Sequence, residues 1–209
     1  MDTSKTVIIS NWYSSADIDY LAPFMKLWVS FNCWYNIALS NPKDREAIDW
    51  LKINQDLQGS LRNILRLNSD EGKDFRKALS NLIEETRNQP LINNKNKNVL
   101  FLKSDITKQT KEKYLQYRKQ IKDTDAKIEE QTLEDFTYNN DGIILDDDST
   151  VIITNDSKQI LNEIIEVIYQ VRCQIFHGLL DTQDKRTQRL VKNSYICLIN
   201  LFKPGMTGV

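Results

Sequence analysis

The sequence predicts an all-α fold, a helical bundle interrupted by one polar insertion that holds a small β-hairpin. Glycine and proline are scarce, at six and four among 209 residues, which is unusual for the turn-rich sandwiches and barrels of all-β proteins. Hydrophobic residues make up 40% of the chain and charged residues 27%, enough to bury a core. Many apolar residues recur at the helical spacings of three and four. We therefore expect one helical domain over residues 1–209.

Three helices are predicted in the first half of the chain. An aromatic-rich stripe over residues 17–40 predicts a long helix that is buried on more than one side, in the core or in a dimer interface. Asn41 and Pro42 are candidates for the N-cap and first position of a second helix, with Gly59 as an interruption. A third helix is expected over residues 70–87, since a proline follows it.

Residues 91–154 form an insertion between the two helical halves. Ten lysines and arginines lie between Lys95 and Lys127 against four acidic residues, and the stretch from Glu129 to Asp148 holds eight acids and no base. One helix is expected from about Lys108 to Glu130. The basic segment is either a solvated face or an RNA-binding surface.

A β-hairpin and two helices complete the chain. Apolar runs at residues 143–145 and 151–153, separated by a polar turn, predict the hairpin. Residues 155–157 are an N-cap cluster, and a strong apolar stripe follows them as far as Gly178, which suits the position just after a helix end. The last helix is expected over residues 184–202.

Composition and missing motifs exclude several function classes. The net charge of −1 gives the chain no general attraction to nucleic acid. One histidine and three dispersed cysteines cannot supply a typical zinc site, and no phosphate-binding glycine loop or serine-hydrolase motif is present. No apolar run is long enough to span a membrane, and the N-terminus does not resemble a signal peptide. We expect a cytoplasmic protein without metal or cofactor.

One segment near the end of the penultimate helix holds a pair suited to chemistry. Arg172 interrupts an apolar stripe, where a charge is costly without a partner or a function. His177, the single histidine, follows five residues later. Five helical residues separate two side chains by about 140° and about 7.5 Å. Either the helix end unwinds or a second copy completes the site. The alternative is a structural arginine with a histidine that caps the helix.

The segment from Ile168 to Gly178, IYQVRCQIFHG, resembles the R-x(4–6)-H motif of the HEPN superfamily, in its ribonuclease branch. Residues 27–35, residues 44–48 and the Asp184–Arg186 segment are similar to the same group. The likeness covers about half of the chain and leaves out the insertion. It has one departure, because Gln174 stands where the family often has asparagine.

The resemblance implies a homodimeric, metal-independent endoribonuclease of a defence or toxin–antitoxin system, acting on RNA and regulated by an antitoxin or another defence partner. Arg172, His177 and Gln174 are then the catalytic residues. Substrate-binding candidates are Asn32, Lys185 and Arg186. The alternative is a catalytically inactive HEPN-like helical module that binds RNA or a protein partner. Gln174 is otherwise a surface residue, and Asn32 a satisfied core amide.

Elementary chemistry agrees with the nuclease interpretation. RNA carries its own nucleophile, the 2′-OH. An imidazole can take or give a proton near neutral pH. A guanidinium can hold a phosphate and stabilise the negative charge that develops on it.

Overall fold

The computed structural model describes residues 19–93, 98–99, 102–123, 131–145 and 151–202. These residues form eight helices and two short antiparallel hairpins, so the predicted all-α class is confirmed. The elements are α1 Leu21–Leu39, α2 Asp44–Ile53, α3 Gln55–Arg66, α4 Asp70–Asn88, β1 Ile92–Asn93, β2 Asn98–Val99, α5 Thr107–Asp123, α6 Leu133–Asn139, β3 Gly142–Ile144, β4 Ile152–Thr154, α7 Ser157–Phe176 and α8 Lys185–Leu201. Within the described ranges, no helix is both long and apolar enough to cross a membrane.

The core is centred on α8, which packs against α1, α3, α4 and α7, while α2 packs along α7. The aromatic stripe of α1 is part of this core. Its buried members recur at helical spacing, and the Phe31 ring lies 5.3 Å from that of Phe202 after α8. Burial of such large rings is worth about 1.5–3 kcal/mol each. The core therefore depends strongly on α1.

The predicted second helix is two helices, and the break lies at Asn54 rather than at Gly59. The Asn54 side chain accepts a hydrogen bond of 3.0 Å from the Leu57 backbone N–H. This satisfies one free donor at the start of α3 and makes Asn54 its N-cap. Gly59 lies inside α3 without interrupting it.

The start of α2 also differs from the prediction. Lys43, not Asn41, is the residue that precedes the helix. Asn41 has a φ of 61°, and its backbone N–H donates to the Asn36 carbonyl oxygen at 3.0 Å. A left-handed asparagine that closes a helix is a familiar C-terminal arrangement, so Asn41 belongs to the end of α1.

The insertion packs on the helical core. The predicted hairpin is confirmed as β3 and β4, one residue from the expected bounds, with Ile144 paired to Ile152. Leu145, Val151 and Ile153 are buried in the same core as the helices. Helix α5 matches the predicted helix as far as Asp123, and residues 124–130 lie outside the described chain. The hairpin of β1 and β2 and the short helix α6 were not predicted.

Both ends of α7 agree with the predictions from local sequence. The Asp156 carboxylate caps the first turn, accepting from the backbone N–H groups of Lys158 and Gln159 at 3.0 and 3.1 Å. At the other end, Gly178 has a φ of 64°. The Gly178 N–H donates to the Ile175 carbonyl oxygen at 3.0 Å, and the Leu179 N–H donates to that of Gln174 at 2.8 Å. This pair of bonds is a Schellman motif, which fixes where the helix ends.

Candidate active site

The last turn of α7 carries Arg172 inside the helix and His177 at its C-cap. The helix is unbroken as far as Phe176, and His177 has a φ of −90° and a ψ of 7°. Unwinding of the helix end was one of the two ways expected to bring the side chains of Arg172 and His177 together. The helix does not unwind between Arg172 and Phe176. The Arg172 side chain is 21% exposed and His177 is exposed. Because of the helical offset, the two groups of one chain do not converge.

Two aromatic rings, one carboxylate and one thiol surround the Arg172 guanidinium, and its Nη1 donates to the Cys173 Sγ at 3.7 Å. The guanidinium carbon lies 4.5 Å from the centre of the Phe176 ring and 5.7 Å from that of Trp28. The Arg172 Nη1 atom lies 3.9 Å from the Asp44 Oδ2 atom at the start of α2. Rings on a cation hold its plane and replace part of its water. The guanidinium is thus oriented before any ligand arrives.

Two buried donors at this site have no acceptor. Neither the Arg172 Nε atom nor the Trp28 Nε1 atom has a hydrogen-bond partner in the described part of the chain. A buried donor without an acceptor costs about 1–3 kcal/mol, so a native structure needs a reason to keep one. The Arg186 Nε atom shares this state, and Trp28 is only 3% exposed, so a missing acceptor alone does not mark a binding site. The Arg172 side chain is 21% exposed, and this partly exposed guanidinium between aromatic rings favours a ligand-binding interpretation of Arg172.

Asn32 lies one turn of α1 after Trp28 and belongs to a chain of polar side chains. Its Nδ2 donates to the Tyr35 hydroxyl, and its Oδ1 accepts from Asn36 Nδ2 at 2.7 Å. Burial, together with the nearby Asp44 charge, raises the pKa of Tyr35 to about 12. Tyr35 therefore remains a neutral phenol. This bonding matches the satisfied-amide alternative for Asn32, although its position is beside the Arg172 site.

A second tyrosine borders the site from α7. Tyr169 lies one helical turn before Cys173, and its ring centre is 6.2 Å from that of Trp28. Burial, with a hydrogen bond to the Cys173 thiol, raises the pKa of Tyr169 above its ordinary value. The site walls are therefore aromatic and neutral, which leaves Arg172 and Asp44 as its charged groups among the described residues.

The three other candidate residues have different surroundings. Gln174 is only 7% exposed, so a substrate cannot reach it while the helix end stays closed. Arg186 makes its contacts with α4: its Nη2 donates to the Gln89 carbonyl oxygen, and its Nε lies 3.7 Å from the Glu85 carboxylate. Lys185 is exposed at the first position of α8. Of the six candidates, Arg172, His177 and Asn32 share one region.

Sequence analysis missed Asp44, Trp28 and Tyr35 as members of the site. The sequence does contain a signal for Asp44. An acidic residue at a helix start interacts favourably with the helix dipole, and it can also pair with a cation from another element. Its partner, however, lies 128 positions away in the sequence, and no spacing rule connects them. Trp28 and Tyr35 were assigned to the aromatic stripe, which is correct for their burial but omits their polar atoms.

A buried ion network anchors the same two helices further along. The Glu166 carboxylate on α7 accepts from Arg45 Nη1 at 3.0 and 3.1 Å, from Lys52 Nζ, and from Gln170 Nε2 at 3.1 Å. Burial alone would raise the pKa of Glu166, but the hydrogen bonds and positive charges of Lys52 and Arg45 hold it below its usual value. The network fixes α2 against α7, and thus Asp44 near Arg172.

Among the described residues, no group of three or more histidine, cysteine, aspartate or glutamate side chains is placed to hold a metal ion. Comparison with protein-family models, with curated proteins and with solved structures finds no match for this chain. The family resemblance of the Arg172–His177 segment therefore stays a prediction from the motif, and the arguments for function come from the site itself.

Proposed function

We propose that this chain is a metal-independent endoribonuclease of HEPN type that cleaves RNA through the 2′-OH. The observation that supports this most is the state of Arg172. Its guanidinium is oriented by two aromatic rings, its Nε lacks an acceptor in the described chain, and its Nη1 contacts the Cys173 thiol at 3.7 Å and the Asp44 carboxylate at 3.9 Å. Arg186, which contacts α4, donates through Nη2 to a carbonyl oxygen, whereas within the described residues the hydrogen bond of Arg172 is to the weakly accepting Cys173 sulfur. An arginine that binds phosphate needs its donors available.

In this proposal, Arg172 binds the scissile phosphate and stabilises the charge that develops on it. His177 takes the proton from the 2′-OH or gives one to the leaving 5′ oxygen. The attack breaks the P–O5′ bond and forms a 2′,3′-cyclic phosphate. The reaction needs one base and one acid. A single exposed imidazole supplies one of these at a time, so a second histidine would complete the pair.

A homodimer would supply that second histidine. Apolar side chains are exposed around His177, with Phe176 at 57% and Leu179 at 56%, and two more are exposed on α1, Val29 at 58% and Ile37 at 67%. Exposed apolar patches on small proteins commonly mark interfaces. We expect a two-fold dimer through this face. Replacing Leu179 by lysine should give a folded monomer on size-exclusion chromatography with light scattering, and a wild-type chain that is monomeric at micromolar concentration would contradict the dimer.

The deciding experiment is cleavage of RNA in EDTA by four chains: wild type, His177→Ala, Arg172→Lys and the control Arg66→Lys. Arg66 is an exposed arginine on α3. We expect cleavage by the wild type and the control, with 2′,3′-cyclic phosphate or 3′-phosphate ends. Loss of an acid–base group should lower the rate about 10²–10⁴-fold, and lysine should not replace the planar guanidinium.

A substrate with one 2′-deoxy nucleotide at the cut site tests the nucleophile directly, and it should resist cleavage. Cleavage of DNA or an absolute need for Mg²⁺ would refute the mechanism. Unfolding of the His177→Ala chain would instead support the capping role for that residue.

The second candidate function is a helical module that binds RNA or a protein without cutting. The Asp44 carboxylate near Arg172 favours it, because it occupies one side of the guanidinium that a phosphate would need. RNA binding by the wild type, with no cleavage in the presence or absence of Mg²⁺, would select this alternative. Either function suits a defence or toxin–antitoxin setting, where a partner protein controls access to RNA.

A further inference from the structure

We propose that the exposed face of α5 is a second RNA-binding surface, separate from the Arg172 site. This inference rests on the proposed function for the identity of the ligand. It concerns Lys108, Lys111, Lys119 and Lys122, which we call the α5 lysine row. The row lies in the insertion, outside the part of the chain that resembles the HEPN superfamily.

The α5 lysine row follows from helical geometry. At 100° per residue, its four lysines and Leu115 lie within an arc of about 80°, over about 21 Å of helix. Lys108, Lys119 and Lys122 are exposed. No carboxylate of the described chain forms an ion pair with any of the four. The row thus presents positive charge that no carboxylate of the described residues neutralises.

The opposite face of α5 is occupied by the protein. Tyr114 and Tyr117 pack on Phe136 of α6, with ring centres 5.6 and 5.4 Å apart. Thr110 is 5% exposed. The helix is therefore held rigidly by its aromatic side and directs its lysine side outward.

This arrangement favours a nucleic acid over a membrane surface. A helix that lies in a membrane interface inserts its own apolar face, and in α5 that face is already covered by α6. Leu115 is the one large apolar side chain exposed on the described part of the helix, at 65%. A linear row of point charges instead matches a strand of phosphates. At about 3.4 Å per nucleotide, 21 Å spans roughly six phosphates.

The α5 lysine row also lies away from the Arg172 site. Helix α5 contacts β4, which leads directly into the start of α7, whereas Arg172 lies near the other end of that helix. Arg172 is 15 residues after Ser157, so about 22 Å of helix separate the two places. A strand engaged at both places would be held along the length of the domain, so that the row contributes affinity and not chemistry.

The test measures binding of an unstructured 20-nucleotide RNA against salt, with His177→Ala in every chain so that nothing is cut. The α5 variant carries Lys108→Gln, Lys119→Gln and Lys122→Gln. Its matched control carries Arg66→Gln, Lys73→Gln and Lys77→Gln, three exposed charges on α3 and α4. Each phosphate contact adds about 0.7 to the slope of log affinity against log salt for single strands.

We expect the α5 variant to lose at least about tenfold in affinity at 0.1 M salt and to flatten the slope by about 2, while the control keeps the parent values. Equal affinities of the parent and the α5 variant would overturn the proposal, and so would an equal loss in both variants. Displacement of the RNA by a charge-matched polyglutamate at the same concentration would also overturn it, since the surface would then suit an acidic protein.

The failure of this proposal and that of the nuclease are distinguishable. If the chain that retains His177 does not cleave RNA but binding depends on α5, the nuclease is refuted and the surface stands. If that chain cleaves RNA and binding does not depend on α5, the nuclease is supported and the α5 surface is refuted.

Discussion

Replacing Asp44 by asparagine should tighten the binding of RNA. The Asp44 carboxylate lies 3.9 Å from Arg172 Nη1, where it competes with a phosphate for the guanidinium. Two unit charges at about 4 Å attract each other by about 1 kcal/mol in bulk water and by about 4 kcal/mol at an effective dielectric constant of about 20. The Asp44 side chain is 53% exposed, so solvent screening reduces the pair to about 0.5–1 kcal/mol. We therefore expect a two- to fivefold gain in affinity.

The assay is fluorescence anisotropy of labelled RNA at low salt, again in the His177→Ala background. Asp49→Asn is the matched control, because Asp49 lies on the same helix, is 57% exposed, and pairs with Arg45 instead. Both variants remove one negative charge from α2. Only Asp44→Asn should tighten binding by the full amount, and the gain should shrink as added salt screens the pair.

An equal gain in both variants would show that net charge alone is responsible and would refute the competition argument. Weaker binding by Asp44→Asn would show that the carboxylate orients Arg172 for its ligand rather than competing with it. Thermal melting of both variants checks that α2 stays folded, since an acid in the first turn is worth about 0.3–1 kcal/mol to a helix.

Three further predictions concern stability. Glu166→Gln should lower the free energy of unfolding by about 3 kcal/mol at pH 7 in urea titrations, because it leaves the 12%-exposed Lys52 with only the exposed Asp49 carboxylate at 3.6 Å as a counter-charge. The pKa of Glu166 in the folded protein is held below its ordinary value of 4.5, so its ionisation stabilises the fold fully above pH 4.5. The difference in stability between the wild type and Glu166→Gln should shrink as the pH falls through the folded pKa. A difference that is the same at pH 7 and pH 3.5 would contradict the assignment. Gly59→Ala should stabilise α3 by up to about 1 kcal/mol, as an added Cβ meets nothing within 4 Å. Gly178→Ala should cost about 1–2 kcal/mol because its φ is 64°, and equal effects of the two alanines would refute the role of backbone conformation.

The features predicted correctly from sequence are those with local causes. The cap at the start of α7 needs only a short polar side chain, Asp156, placed two and three residues before the backbone N–H groups that it accepts from. The end of α7 needs only a glycine, because glycine tolerates positive φ. The break at Asn54 was local as well, but asparagine at an N-cap and glycine in a helix are competing signals. Gly59 alone was expected to interrupt the helix, because glycine is a poor helix former, whereas the Asn54 cap at the start of α3 decides where the break lies.

The features missed depend on contacts between distant parts of the chain. Arg45 and Lys52 meet Glu166 across more than a hundred residues, and Asp44 meets Arg172 in the same way. Helical spacing assigned each of these residues to the correct helix without indicating its partner. Charged residues on amphipathic helices are usually solvated, so their pairing follows from how the helices pack and not from their own pattern.

Helix α2 is attached to α7 at both of its ends: Asp44 meets Arg172, and Lys52 meets Glu166, eight residues or about 12 Å later. A helix held at two points cannot pivot about one of them without lengthening the contact at the other, so a displacement at one end is transmitted to the other. A regulator that pulled on the Lys52 end would therefore also withdraw the Asp44 carboxylate from Arg172. A force applied at the Lys52 end of α2 would therefore change the charge beside the Arg172 guanidinium.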